Sequence, residues 1–174
     1  MKDYGKLQVY TGTGKGKTTA ALGVILRASG YGAKSLMVQF MKDDQNYGEY
    51  RAFNYIPNFT LKQFGRDSFV NFKDPDPIDL KMMQDGWLYA KNAILTQEYD
   101  IIVLDEINIL LAYELLPSVE IIDFLESARG NTEIITTGRY APETLLNAAD
   151  LVTDMNAVKH YFFAGTKSRD GIDH

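Results

Sequence analysis

A chain of 174 residues is long enough for one compact α/β domain with a real core and too short for two comfortable ones. Hydrophobic residues at 45% and charged ones at 24% are ordinary for a folded soluble protein, and the formal net charge of -5 disfavours a general nucleic-acid binder. The absence of cysteine excludes disulfides, thiolate metal sites and cysteine nucleophiles, and two histidines leave little for a zinc site. No apolar run approaches the roughly 20 residues of a membrane span, and MKDYGKLQVY has no signal-peptide core, so a cytoplasmic protein without a membrane partner is expected.

In chain order, short apolar runs predict strands at Leu7 to Tyr10, Ser35 to Phe40, Thr60 to Phe64, Ile101 to Leu104 and Glu133 to Thr137, with two more around Leu151 and Tyr161. Helical spacing predicts helices at Thr18 to Ser29, Pro77 to Leu95, Ser118 to Ala128 and Pro142 to Ala149. Asp76 is placed to cap the second helix with Pro77 in its first turn, and Pro142 is expected to open the fourth in the same way. Gly130 stands where the third helix must end. Gly30 and Gly32 stand where the first must, and positive φ is expected there. Along Pro77 to Leu95, residues Leu80, Met83, Trp87, Ala90 and Ile94 form one apolar face. Strand and helix alternate throughout, which predicts an α/β fold: a mainly parallel sheet with helices on both faces, in a single domain over residues 1–174. The stretches Asp43 to Asn58 and Gly65 to Asp76 read as irregular, and loops of that length usually carry function.

The chemistry concentrates after the first strand. V-Y-T-G-T-G-K-G-K-T-T lies between a strand and a helix, the setting a phosphate-binding loop requires. Glycines let successive backbone N–H groups turn toward one anion, and the helix beginning near Lys17 adds its positive dipole end. Residues Thr11, Gly12, Thr13, Gly14, Lys15, Gly16, Lys17, Thr18 and Thr19 are therefore the candidate ATP-binding set. Lys17 neutralises phosphate charge and the Thr18 hydroxyl reaches Mg²⁺. In place of the first glycine of G-x-x-x-x-G-K-[ST] the chain has Thr11, with Gly12 one position later. Ile101 to Leu104 runs into Asp105 and Glu106, an apolar strand ending in two acids, as a magnesium-binding strand beside such a loop does. Asp105 bonding the loop and Glu106 ligating Mg²⁺ or orienting a water are the available roles, and sequence does not separate them.

Beyond the loop, T-G-T-G-K-G-K-T-T-A-A-L-G, V-Q-F-M-K, L-D-E-I-N-I-L-L-A-Y, T-T-G-R-Y-A-P-E-T-L-L-N-A-A-D-L-V-T-D-M, V-K-H-Y-F-F-A-G and G-I-D-H together resemble the ATP:corrinoid adenosyltransferases of cobalamin synthesis and salvage, in the same order from Val9 to His174. The resemblance implies a P-loop NTPase-like (RecA-like) fold. It also implies transfer of the 5′-deoxyadenosyl group from ATP to the Co(I) of a corrinoid, either cob(I)alamin or a cobinamide-type precursor, with release of triphosphate. ATP then lies in the loop in the reverse of its usual direction, and Gly12 belongs to the family's form of the loop. Lys17, Thr18 and Glu106 become the expected catalytic residues, with Thr18 and Glu106 holding Mg²⁺. Arg27 and Arg139 match arginines near the nucleotide or are surface charges. Phe69 and Phe72, in G-R-D-S-F-V-N-F, fall where the family places corrinoid-contacting aromatics. Of these Phe69 is favoured as the wedge that excludes the lower axial ligand, while Trp87 is assigned to packing. His160 is a corrinoid contact or, as an imidazole on a strand, structural. A flavin-dependent reductant and a homodimer are the implied partners. Longer members carry an N-terminal helix over the nucleotide. With eight residues before Val9, the site is expected to be more open, or closed by the partner subunit or the corrinoid.

Two readings compete with adenosyl transfer. In an ATPase of the same architecture Glu106 activates water, and a binding module holds ATP without turning it over.

Overall fold

The computed structural model describes residues 3–66 and 68–173; Asp67 of G-R-D-S and His174 of G-I-D-H lie outside it. Six strands, β1 (Leu7–Thr11), β2 (Ser35–Phe40), β3 (Phe59–Phe64), β4 (Ile101–Asp105), β5 (Glu133–Thr137) and β6 (Leu151–Asp154), pair in the order β3-β2-β4-β5-β1-β6. Every pairing is parallel. Six helices accompany them: α1 (Lys17–Ser29), α2 (Gly48–Ala52), α3 (Pro77–Thr96), α4 (Ile107–Ala112), α5 (Ser118–Ala128) and α6 (Glu143–Ala148).

Strand alternation sends successive side chains to opposite faces, and two separate cores result. Leu36, Val38, Ile102, Leu104 and Ile134 meet α3 and α5 through Met83, Ala90, Ile94, Ile121 and Leu125. Met37, Ile101, Val103 and Ile135 meet α1 through Ala21, Ile25 and Ala28. Because both faces are covered, the central strands β2, β4 and β5 are buried at every position. The face predicted for α3 packs inward as a unit, with Leu80 and Trp87 partly buried and the Trp87 ring edge-on to Phe124 at 5.6 Å.

Local signals act as expected at several ends. The Asp76 carboxylate accepts from the Ile78 N–H at 3.0 Å, and Pro77 occupies the first turn of α3. Gly130 and Gly32 have φ of 55° and 71°. Four expectations are corrected. Gly30 is right-handed at φ -61°, so Gly32 alone takes the left-handed position after α1. Pro142 is the cap residue before α6, one place outside the helix. Tyr161 opens a 3-10 turn, Tyr161–Ala164, and is not in a strand; an aromatic run there mimics strand composition. The stretch Asp43 to Asn58, read as irregular, contains α2; it and α4, which was not assigned, are at five and six residues too short for periodicity to reveal.

At the carboxyl end of the sheet, four strands are followed by left-handed residues. Gly12 follows β1, Met41 follows β2, Glu106 follows β4, and Gly138 and Tyr140 follow β5, all with positive φ. Each is a sharp exit from the carboxyl end of a strand, where ligands of open parallel sheets bind.

Candidate active site

At that edge lies a cavity of about 360 Å³. Its walls are Thr13 to Thr19 of the loop, Glu106 after β4, Arg139 after β5, and a C-terminal stretch contributing His160, Tyr161 and Asp173. A second cavity, about 670 Å³, shares Thr18, Thr19, Glu106 and Asp173 with it and extends along α1 toward Lys42 and Glu49.

The loop's glycines answer to its neighbours. Gly12 has φ 100°, and a Cβ there would stand 2.3 Å from the Asp154 carboxylate and 2.5 Å from the Met155 carbonyl. Met155 passes so close that its carbonyl accepts the Gly14 N–H at 2.6 Å. Thr11 and Gly12 therefore brace the loop instead of lining the cavity. The Thr11 hydroxyl, where the usual pattern has glycine, accepts from the Ala141 N–H at 3.1 Å and ties the end of β1 to the segment carrying Arg139.

Lys17 is buried, and its ammonium donates to the carbonyls of Gly12 at 2.8 Å and Gly14 at 2.7 Å. Burial lowers its proton affinity against the pull of Glu106 and Asp105. Two of its three N–H donors hold the loop, leaving one for an incoming phosphate.

Adjacent acids have different tasks. Asp105 is fully buried: its Oδ1 accepts from Thr18 Oγ1 at 2.8 Å and Thr137 Oγ1 at 2.6 Å, its Oδ2 from Gln39 Nε2 at 3.0 Å and Lys42 Nζ at 2.7 Å. Burial pushes this carboxyl up, but the Lys42 ammonium and the hydrogen bonds from Lys42, Thr137 and Thr18 outweigh it and hold it below the usual carboxylate range. Glu106 leaves the strand line at φ 67°, fixed by its N–H to Thr137 Oγ1 at 3.0 Å, and its side chain enters both cavities. Burial and then the Asp105 charge raise its proton affinity. Asp105 is thus the structural acid and Glu106 the one offered to a ligand.

The donor set fits Mg²⁺ held jointly with phosphates. Thr18 carries a hydroxyl and Glu106 a carboxylate at one shared wall, and among the described residues no group of three or more acids or histidines forms a protein cage. That is how Mg²⁺ is usually bound, through one or two protein oxygens with phosphates and water completing its shell.

Of the remaining predicted residues, Arg139 joins the cavity and Arg27 does not. Arg27 lies ten residues beyond Lys17 on α1, about 15 Å along a helix, and lines a separate depression with Tyr4, Tyr31 and Glu133. Phe69 is fully exposed at the tip of its loop, while Phe72 stacks on Tyr113 at 5.0 Å. His160 is in no strand; its Nδ1 accepts from the Phe162 N–H at 3.2 Å and its ring packs on Tyr161 and Phe163. Lys42, Thr137 and Asp173 carry site contacts that the sequence did not assign, although all three stand inside the motifs V-Q-F-M-K, T-T-G-R-Y and G-I-D-H.

The profile of the family described as ATP:corrinoid adenosyltransferase BtuR/CobO/CobP matches residues 3–174. The chain belongs to this family. Its relatives include the corrinoid adenosyltransferase of Escherichia coli K12, 35% identical over 98% of this chain and 86% of that one, and the corrinoid adenosyltransferase CobA of Salmonella typhimurium, 35% identical over 100% and 88%. The Pseudomonas aeruginosa corrinoid adenosyltransferase is 31% identical over 97% and 83%. Among solved structures, the flagellar accessory protein FlaH of Methanocaldococcus jannaschii superposes with a TM-score of 0.54 over 87% of this chain and 71% of that one at 15% identity, which speaks for a shared α/β fold alone. Among the described residues no helix of this corrinoid adenosyltransferase family member is long and apolar enough to cross a membrane.

Proposed function

We infer that this chain, as a single domain, transfers the 5′-deoxyadenosyl group of ATP to the Co(I) centre of a corrinoid and releases inorganic triphosphate, in the synthesis or salvage of adenosylcobalamin. The observation that carries the reading is the family match over residues 3–174, which includes every loop that lines the cavity.

The Co(I) lone pair attacks C5′, the C5′–O bond breaks, and its electron pair leaves on the triphosphate. No proton is abstracted, so the protein's task is to hold C5′ in line and stabilise the leaving charge. The loop N–H groups, Lys15, Lys17 and Arg139 bind the triphosphate. Mg²⁺, held by Thr18 and Glu106, supplies further neutralisation of the phosphate oxygens when bound. Asp105 keeps the Thr18 hydroxyl in place. Phe69, fully exposed on its loop, is in this reading the apolar wedge for the lower face of the corrin. Arg27 is left out of the site on grounds of distance. The homodimer and the flavin-dependent reductant rest on the family resemblance, and the location in this reading is cytoplasmic.

The test is an anaerobic incubation with Mg·ATP and cob(I)alamin, following triphosphate and the light-sensitive cobalt–carbon chromophore together. Equal yields of both are expected. ADP and phosphate in their place, or triphosphate formed without corrinoid, overturns the reading.

A further inference from the structure

The C-terminal stretch that walls the first cavity is weakly attached to the fold. From residue 156 to residue 173 no side chain is buried, and the path doubles back through left-handed turns at Gly165 and Gly171, φ 83° and 71°. At its far end it comes down on the phosphate loop. The Asp173 carboxylate meets Lys15 Nζ at 2.7 Å, and the same ammonium donates to the Ile172 carbonyl. Asp173 also gathers the stretch on itself. Tyr161 Oη donates to its Oδ1, Arg169 donates to its Oδ2 from Nε at 3.0 Å and from the backbone N–H at 3.1 Å, and the Arg169 guanidinium lies 4.6 Å from the Tyr161 ring centre. These partners hold the carboxyl far below its ordinary range, as a carboxylate.

Two roles are conceivable for an acid at this point, a plug that occupies a phosphate's lysine or a latch. The geometry separates them. Four donors saturate both oxygens of Asp173, and one carboxylate against two cations, Lys15 and Arg169, leaves the cluster net positive toward an anion in the cavity. Lys15 has three N–H donors, of which Asp173 and Ile172 take two. The third remains for phosphate. A cavity of about 360 Å³ persists beneath the strap while it is latched, enough for three phosphate groups.

We propose that Asp173 is a positioning residue: it fixes the Lys15 ammonium at the loop and latches residues 160–173 as a strap over the triphosphate, closing on bound nucleotide and opening to release the leaving group. The proposal rests on the triphosphate-site reading above. A partly exposed ion pair alone contributes little, so the strap closes firmly only when an anion in the cavity adds to it.

Trypsin reads the strap directly, because Lys167 and Arg169 lie within it. With the full chain, Mg²⁺ and inorganic triphosphate are expected to slow cleavage after both residues by about tenfold, since proteolysis follows the open population. Asp173→Ala should abolish that protection and raise KM for ATP about tenfold with a much smaller change in kcat, the size of one lost charge-assisted contact. Asp173→Glu should restore part of both, which a purely structural loss would not. Faster cleavage with triphosphate would mean displacement of the strap and overturns the proposal, as does full protection in Asp173→Ala. Triphosphate that binds the wild type, and fails to bind Lys17→Met, yet gives no protection sinks the latch alone. If the wild type does not bind triphosphate, the site reading falls with it.

Discussion

Asp105 and Glu106 show how two neighbouring acids acquire opposite properties from backbone direction. Asp105 ends β4 inside the sheet, where strand register sets Gln39 beside it and the residue after the next strand turn, Lys42, reaches its second oxygen. Glu106 takes the left-handed turn and faces the cavities. Replacing Asp105 with Asn removes the charge but leaves the Lys42 ammonium buried against an amide. Breaking one side of a buried pair costs about 3–5 kcal/mol, so Asp105→Asn is expected to lower Tm by roughly 10 °C in a thermal melt, and Lys42→Met in the same chain to recover part of it. A melt within about 1 °C of wild type contradicts the assigned burial cost. The pH dependence has a defined sign. The folded carboxyl titrates below its unfolded value of about 3.9, so its stabilisation is complete above that pH and drains away as pH falls through the lower folded value. Asp105→Asn should therefore lose less stability than wild type on acidification below about pH 4. Local reading reached Lys17 and Thr18 through the phosphate-loop motif and Glu106 through the acidic end of an apolar strand. Lys42 and Thr137 escaped because their meaning lies in a partner 63 and 32 residues away, brought near only by strand order.

Between β3 and α3 the chain makes a loop whose root is fixed and whose tip is free. Arg66 donates to both oxygens of Asp79 at 2.7 Å each, and Asp79 is buried in the first turn of α3. Beyond the tip, Phe72 is clamped on Tyr113. Phe69 projects between these anchors with its whole surface exposed, so removing it costs the fold nothing measurable, within about 0.5 kcal/mol. In the proposed reading this phenylalanine meets the apolar lower face of the corrin. Phe69→Ala should leave the rate with preformed cob(I)alamin nearly intact and lower the rate from cob(II)alamin with a flavin reductant by about tenfold, one aromatic contact's worth. Asp79→Ala should reproduce that loss by freeing the loop's root. Equal rates from cob(II)alamin in Phe69→Ala and wild type remove the wedge from the mechanism. The loop's irregularity was legible from composition. Its two anchors were not, since a bidentate pair 13 residues apart has no periodic signature.

At the scale of the molecule, alternating runs such as IIVL and EIITT announced a covered parallel sheet, because strands buried on both faces have no polar side to show. The order β3-β2-β4-β5-β1-β6 was beyond reach, as it is set by which crossovers pack, not by any single run. That order places β1 between β5 and β6, so the loop after β1 is flanked by Arg139 on one side and Met155 on the other. A ligand in the cavity consequently contacts elements from both ends of the chain, and binding should stabilise the whole fold and not one loop. Inorganic triphosphate with Mg²⁺ at a hundred times its Kd adds about 2.7 kcal/mol, which for a chain of this size raises Tm by roughly 5–10 °C. Lys17→Met should abolish the shift, because Lys17 is a buried cation that braces the loop through two carbonyls and keeps a third donor for phosphate. Arg27→Ala should keep it in full, since Arg27 stands at the far end of α1. A shift lost in Arg27→Ala but retained in Lys17→Met would place the anion at the opposite end of the helix and remove the basis for the site.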